Sequence, residues 1–261
     1  IDPRNGGVLA MVSRPSFDPN PFVEGIGSEE YGALRDSPDT PLFNRAVRGQ
    51  YPPGSTVKPF VGLGGLETGV VGAGSGKYCP GFYQLPGHSH KYRDWKRWGH
   101  GSVALRKAIV ESCDVYFYDL AHDIGIDRLN GFLGGFGFGE RTGIDVSGEL
   151  GGLLPSREWK KRARNQPWFP GETLIVGIGK GSFLTTPLQL ASATATLAAR
   201  GRYMQPRVVR VSQIPGSPTM EPVPAVTRQL QLSPAHIDSV IDAMTEVVEG
   251  ERGTAKRIRT D

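Results

Sequence analysis

Tyr51-Pro-Pro-Gly-Ser-Thr-Val-Lys-Pro-Phe60 is the stretch on which the fold and the chemistry turn. Pro-Pro-Gly enforces a tight turn, and the apolar Val57 and Phe60 behind it open a helix. Ser55 and Lys58 stand three residues apart, which places both side chains on one helical face within reach of each other. A serine hydroxyl is a poor nucleophile until a neighbouring base takes its proton. A helix start supplies free backbone N–H groups and the positive end of the helix dipole, both favourable to an oxyanion. Lys58 can act as that base if burial lowers its pKa, and its apolar neighbours make burial expected. A Ser-x-x-Lys string is common by chance as a surface pair. Here no other serine is followed by lysine at that distance, and this one follows a turn.

The second informative stretch is Glu111-Ser-Cys-Asp-Val-Tyr-Phe-Tyr118. Residues 105 to 124 are helical in composition, and Ser112 and Asp114 flank an expected break near Cys113. Taken alone, they read as a capping serine and an aspartate able to cap the following aromatic helix. Beside a Ser–Lys pair they acquire another use. A hydroxyl next to the pair can relay a proton to a leaving group, and an adjacent polar side chain can hold a substrate amide.

Ser55-Thr-Val-Lys58 followed by Ser112-Cys-Asp114 resembles the first two boxes of penicillin-binding proteins and serine β-lactamases. Asn44 to Gly54, Tyr92 to His100, Leu154 to Lys160, and Gly177-Ile-Gly-Lys-Gly181 with Thr186-Pro-Leu-Gln189 narrow the resemblance. Together they are similar to the elongation-specific class B penicillin-binding proteins of Gram-negative bacteria, across essentially the whole chain. The resemblance implies an α+β fold, an antiparallel sheet flanked by helices. It implies a peptidoglycan DD-transpeptidase in which Ser55 attacks the D-Ala-D-Ala end of a stem peptide, Lys58 is the base and Ser112 the proton relay. Asp114 would hold substrate, although it stands where most relatives carry asparagine, and a carboxylate accepts hydrogen bonds but donates none. Expected partners are the stem peptide, β-lactams and a SEDS-type glycan polymerase. The expected place is the periplasmic face of the inner membrane, with a membrane anchor outside residues 1 to 261. A serine β-lactamase, a β-lactam sensor domain and an inactive scaffold are the competing readings.

One element of the pattern is missing. The family's third box, Lys-Ser/Thr-Gly on an edge strand, has no match; Arg252-Gly-Thr-Ala255 lacks the lysine and reads as a segment just before the true box. The chain is therefore read as one transpeptidase domain over 1 to 261, truncated at both ends, with the box-carrying strands absent.

The two cysteines, Cys79 and Cys113, bracket Asp94 and His100. These four residue types are ligands of a closed tetrahedral zinc site, with His88 and His90 as adjacent alternatives. No compact finger spacing is present, and a disulfide or two inert buried thiols remain open. Zinc is the favoured reading. The glycine-rich excursion between Tyr78 and His100 has few core-formers and needs a staple, and the resemblance implies a metal cluster here. No cofactor is expected in catalysis itself.

Bulk properties agree. The 261 residues are 38% apolar and 21% charged with a net charge of +4, which excludes a polyelectrolyte or disordered chain. The basic run Ser156 to Arg164 reads first as a solvated helix face, with an anionic lipid or wall polymer as the sharper alternative. No nucleic-acid motif accompanies it. Gly177 to Gly181 only superficially resembles a phosphate loop. Ser233-Pro234 and the capping box Thr186-Pro-Leu-Gln189 open two further helices, the second running to about Ala199 and stopped by Gly201. His122 and His236 read as ordinary helix residues. Residues 1 to 13 are expected as a turn feeding a strand, and 203 to 211 as a strand.

Overall fold

The computed structural model describes residues 1–216 and 218–260. Its centre is a helix that is buried all round. A 3₁₀ turn, Gly54–Val57, runs straight into α4 (Lys58–Glu67), and every residue from Lys58 to Leu66 is buried. Before it come α1 (Asn20–Glu24), α2 (Ser28–Arg35) and α3 (Arg45–Arg48), of which only α3 contributes a buried residue, Val47. Three glycines explain how α4 accepts so many neighbours. A Cβ on Gly62 would lie 2.8 Å from the Leu105 side chain, on Gly64 2.9 Å from the Phe132 ring, and on Gly65 2.8 Å from Leu120. Glycine weakens a helix by about 1 kcal/mol relative to alanine, and here that loss allows close approach on three sides.

Those neighbours are α5 (Leu105–Val110), α6 (Asp114–Ile124) and α7 (Ile126–Gly135). The break between α5 and α6 falls at Glu111-Ser112-Cys113, as the sequence predicts. α8 (Arg157–Arg164), α9 (Pro170–Gly177) and α10 (Pro187–Ala198) follow, and α9 lies along α6. The expected capping box holds: Gln189 N donates to Thr186 Oγ1 at 3.1 Å and Thr186 N to Gln189 Oε1 at 2.9 Å. Gly201, with φ +87°, follows the end of α10. The basic run does form α8, capped by Ser156, but it is not solvated throughout. Lys160 is buried, 2.5 Å from Glu172 and over the Phe169 ring.

The strands are short antiparallel pairs. β1 (Lys77–Cys79) pairs with β4 (Gly101–Val103), and β2 (Phe82–Gln84) pairs with β3 (Lys91–Arg93). Later β5 (Arg202–Met204) pairs with β8 (Thr227–Gln229), and β6 (Val211–Gln213) with β7 (Met220–Pro222). Helices with antiparallel strands make an α+β fold. Two strand expectations need correction. Residues 203 to 211 are not one strand: β5 ends at Met204 and β6 starts at Val211, with Pro206, which has no N–H, between them. Residues 1 to 13 do form a turn, Gly6 N donating to Asp2 O at 2.9 Å, but the strand shrinks to one parallel bridge between Gly7 and Arg207.

α11 (Pro234–Glu249) closes against α4 and α5. Ser233 is its N-cap residue, but its side chain does not cap. Its N–H donates instead to Glu67 Oε1 at 2.9 Å, the same oxygen that lies 2.9 Å from His236 Nδ1. His236 is thus a tie between α11 and the end of α4. His122, the other histidine read as ordinary, lies partly exposed on α6 beside Asp123. Among the described residues no helix is long and apolar enough to cross a membrane.

Candidate active site

The turn that carries Ser55 is fixed from behind. Tyr51 and Thr185 exchange both backbone hydrogen bonds at 2.9 Å, Gly54 N donates to Gly179 O at 2.8 Å, and Thr56 Oγ1 donates to Pro53 O at 2.7 Å. Gly179 must be glycine, because at φ +70° a Cβ there would lie 2.3 Å from Gly54 O. The Gly177–Gly181 loop that superficially resembles a phosphate loop therefore serves as the backing of this turn. Ser55 is left exposed at its apex, three residues ahead of the first residue of α4 and next to N–H groups with no helical acceptor.

Lys58 points inward and is 1% exposed. Its Nζ donates to Ser112 O at 2.8 Å, to Ser112 Oγ at 3.0 Å and to Asp114 Oδ1 at 2.6 Å. Burial pulls its pKa below the ordinary lysine value, and the Asp114 carboxylate opposes that pull. Ser55, Lys58 and Ser112 line one cavity of about 430 Å³ whose remaining wall is largely apolar, including Phe60, Ile109, Leu190, Met244 and Val247. Thr254, from the Arg252-Gly-Thr-Ala255 segment, completes it; Thr254 N donates to Val110 O at 3.3 Å, and Arg252 lies 3.5 Å from Glu111.

Ser112 adopts φ +53°, a left-handed conformation uncommon for a residue with a side chain. The next residue, Cys113, is the N-cap residue of α6 without a side-chain cap. Asp114 does not cap the helix as its sequence position suggests, because Lys58 and Trp95 N take its oxygens. The cap arrives from another loop: Val115 N donates to Asp94 Oδ2 at 3.1 Å.

Asp94 belongs to the excursion between β1 and β4, and the excursion closes on itself through two glycines. A Cβ on Gly99 would lie 2.1 Å from Cys79 O, and one on Gly81 2.4 Å from Arg97 O. This crossing brings together the four sequence candidates Cys79, Asp94, His100 and Cys113, all buried, with ligand atoms within 4.8 Å of one another. Cys79 Sγ is 3.6 Å from both Asp94 Oδ2 and His100 Nδ1, Cys113 Sγ is 3.4 Å from Asp94 Oδ2, and His100 Nδ1 is 3.5 Å from Asp94 Oδ1. Such separations are the edges of a tetrahedron whose centre lies about 2.0–2.3 Å from each corner, the bond lengths of zinc to oxygen, nitrogen and sulfur. Both cysteines are free thiols, and burial raises the Cys113 pKa and lowers that of His100. His88 and His90 lie exposed outside the cluster.

Sequence reasoning missed Trp95. Its indole N–H donates to Glu111 O at 3.2 Å and to Ser112 O at 3.0 Å, and its backbone N–H donates to Asp114 Oδ2 at 3.2 Å. The only advance signal was its place beside Asp94 in a Trp-rich segment.

Comparison with known proteins agrees with this geometry. The penicillin binding protein transpeptidase domain family matches residues 1–261. The peptidoglycan D,D-transpeptidase MrdA of Acinetobacter baumannii is 47% identical over 260 residues, covering 100% of this chain and 38% of that protein. The crystal structure of Pseudomonas aeruginosa PBP2 in complex with WCK 5153 superposes with a TM-score of 0.91 at 52% identity, covering 99% of this chain and 58% of that one. A chain from a peptidoglycan synthase complex that coordinates polymerization and crosslinking superposes with a TM-score of 0.85 at 34% identity, covering 99% of this chain and 42% of that one. The residues here thus span well under two thirds of the length of these relatives. With a serine at a helix start, a buried lysine bound to a second serine, and a family match from end to end, the chain belongs to the penicillin-binding protein transpeptidase domain family.

Proposed function

We propose that this chain is the catalytic part of a peptidoglycan DD-transpeptidase that crosslinks stem peptides during cell elongation and is acylated by β-lactams. The observation that carries the reading is the contact of the buried Lys58 Nζ with Ser112 Oγ at 3.0 Å beside the exposed Ser55. In the proposed reaction Ser55 Oγ bonds to the carbonyl carbon of the penultimate D-alanine while its proton passes to the free amine of Lys58. Backbone N–H groups at the helix start favour the resulting oxyanion. As the C–N bond breaks, Ser112 Oγ donates its proton to the departing D-alanine nitrogen and is reprotonated from Lys58. An amine of a neighbouring strand then attacks the ester, and Ser55 recovers its proton. Burial favours the free amine that the first step needs.

Asp114 contributes by holding Lys58 and, through its carboxylate, accepting a substrate amide N–H. The Lys-Ser/Thr-Gly box belongs, in this reading, to the part of the relatives' length that these residues do not span. The apolar wall at Leu190, Met244 and Val247 is the surface available to the strand that carries it. Residence on the periplasmic face of the inner membrane and work beside a SEDS-type glycan polymerase follow from the same likeness, supported by the neighbour taken from a peptidoglycan synthase complex.

Cys79, Asp94, His100 and Cys113 would hold a structural zinc ion. The fit is chemical as well as geometric: two buried thiols, a buried carboxylate and a buried imidazole are the donor types zinc takes, and His100 Nε2 has no partner of its own among the described residues. Bound there, zinc supplies positive charge and a crosslink between the 79–100 excursion and the Ser112 box, and takes no part in acyl transfer.

Intact-mass measurement of the full-length protein after mixing with benzylpenicillin tests the main reading. A long-lived adduct on Ser55, absent from Lys58→Ala, is expected. Rapid turnover of the adduct would favour the β-lactamase reading, and no adduct would refute both.

A further inference from the structure

We infer that Trp95 is a positioning residue for the Ser112 proton relay, an assignment that rests on the transpeptidase reading above. Ser112 is held at φ +53°, a conformation that persists in a residue with a side chain only where its surroundings over-determine it. The helix break leaves the Glu111 and Ser112 carbonyls at the end of α5, where no intrahelical donor reaches them. The Trp95 indole N–H lies between them, at 3.2 Å and 3.0 Å. The main-chain N–H of the same residue donates to Asp114 Oδ2 at 3.2 Å and leaves Oδ1 to Lys58. A single residue thus fastens both the peptide bearing the relay hydroxyl and the carboxylate that orients the lysine.

Hydrophobic burial does not account for this tryptophan. It is 60% exposed, and its aromatic partner is the His100 ring, with centroids 5.5 Å apart. What it uses fully are its two N–H donors. Without the indole donor, the Ser112 peptide keeps only Lys58 as a partner for its carbonyl, and the hydroxyl is no longer fixed at 3.0 Å from Nζ. The consequence falls on proton delivery rather than on ligand binding, because the indole N–H is taken up by two backbone carbonyls and Trp95 is not among the residues that line the Ser55 cavity.

The test replaces Trp95 in the full-length protein with β-(3-benzothienyl)alanine, which keeps the ring shape and puts sulfur where the N–H was. The acylation rate constant and the pre-acylation dissociation constant for benzylpenicillin are measured in this variant, in Trp95→Phe, and in both combined with Ser112→Ala. The expected result is a roughly five- to tenfold slower acylation with an unchanged dissociation constant, and no further loss once Ser112 is alanine. Acylation at the parent rate in the benzothienyl protein would overturn the assignment. So would an equal loss in the Ser112→Ala background, since the tryptophan would then act by another route. A parent protein that forms no Ser55 adduct would fail the transpeptidase reading itself and take this assignment with it.

Discussion

In the proposed reaction the environment of Lys58 decides when its amine is free to accept a proton. Its ammonium is almost wholly removed from water, which favours the free amine, and the Asp114 carboxylate at 2.6 Å favours the charged form. The first effect is the larger, so the net direction is downward. Asn at 114 would keep a hydrogen-bond acceptor and remove the nearest charge, leaving burial opposed by less, chiefly the Asp94 carboxylate. Free amine would then appear at lower pH. The acid limb of the acylation rate against pH is therefore expected to move to lower pH in Asp114→Asn. A pH series of benzylpenicillin acylation rates checks it, and a limb that stays put or moves upward would show that Asp114 does not control Lys58. Ser112 belongs to the same scale: its left-handed backbone turns the carbonyl and hydroxyl toward one Nζ, which an ordinary helical residue could not do.

Among elements, the packing of α9 on α6 shows how backbone approach is obtained. Gly177, the last residue of α9, would with a Cβ lie 2.4 Å from Ala121 Cβ and 3.0 Å from Phe117 O. Neither obstacle can move without shifting the α6 backbone, and α6 begins at Asp114. Gly177→Ala is expected to lower stability by about 1–2 kcal/mol, since overpacking of about 1–3 kcal/mol outweighs the gain in helix propensity. Urea unfolding midpoints of the two proteins decide this; an alanine variant at least as stable as the parent would show that α6 and α9 are not in close contact. The 3₁₀ turn before α4 is the complementary case. Hydrogen bonds from the 179–185 segment hold it on one side, and the buried Val57 holds it on the other.

For the whole molecule, the excursion between β1 and β4 is poorly supported by its own packing. Trp98, Trp95 and Tyr78 face solvent, and the buried residues there are chiefly Cys79, Leu85, Asp94 and His100. A zinc ion on the four ligands would supply the missing crosslink between this excursion and α6. Native mass spectrometry of the full-length protein is expected to find one zinc per chain. Removing it with a strong chelator should lower the Tm by several degrees and slow acylation of Ser55, because Asp94 both caps α6 and belongs to the cluster. A zinc-free protein of unchanged Tm and acylation rate would refute the structural role.

The pairing of Ser55 with Lys58 was legible because it is local: a proline–glycine turn, a serine, and a lysine three positions later lie on one face whatever surrounds them. The same holds for the break at Glu111–Cys113 and the Thr186–Gln189 capping box, each set by hydrogen bonds within a few residues. Resemblance to known boxes then extended that local reading to the fold. The four candidate ligand residues were nominated from residue type and the family resemblance, but nothing in their spacing made them meet. Their convergence depends on the crossing at Gly81 and Gly99 and on a loop packed against α6. The capping of α6 by Asp94, the capture of Asp114 by Lys58, the loss of the expected strand at 1 to 13, and the clamp made by Trp95 were likewise decided by tertiary structure. Each joins groups far apart in the chain, and local periodicity and propensity carry no information about which distant partner a donor or acceptor will find.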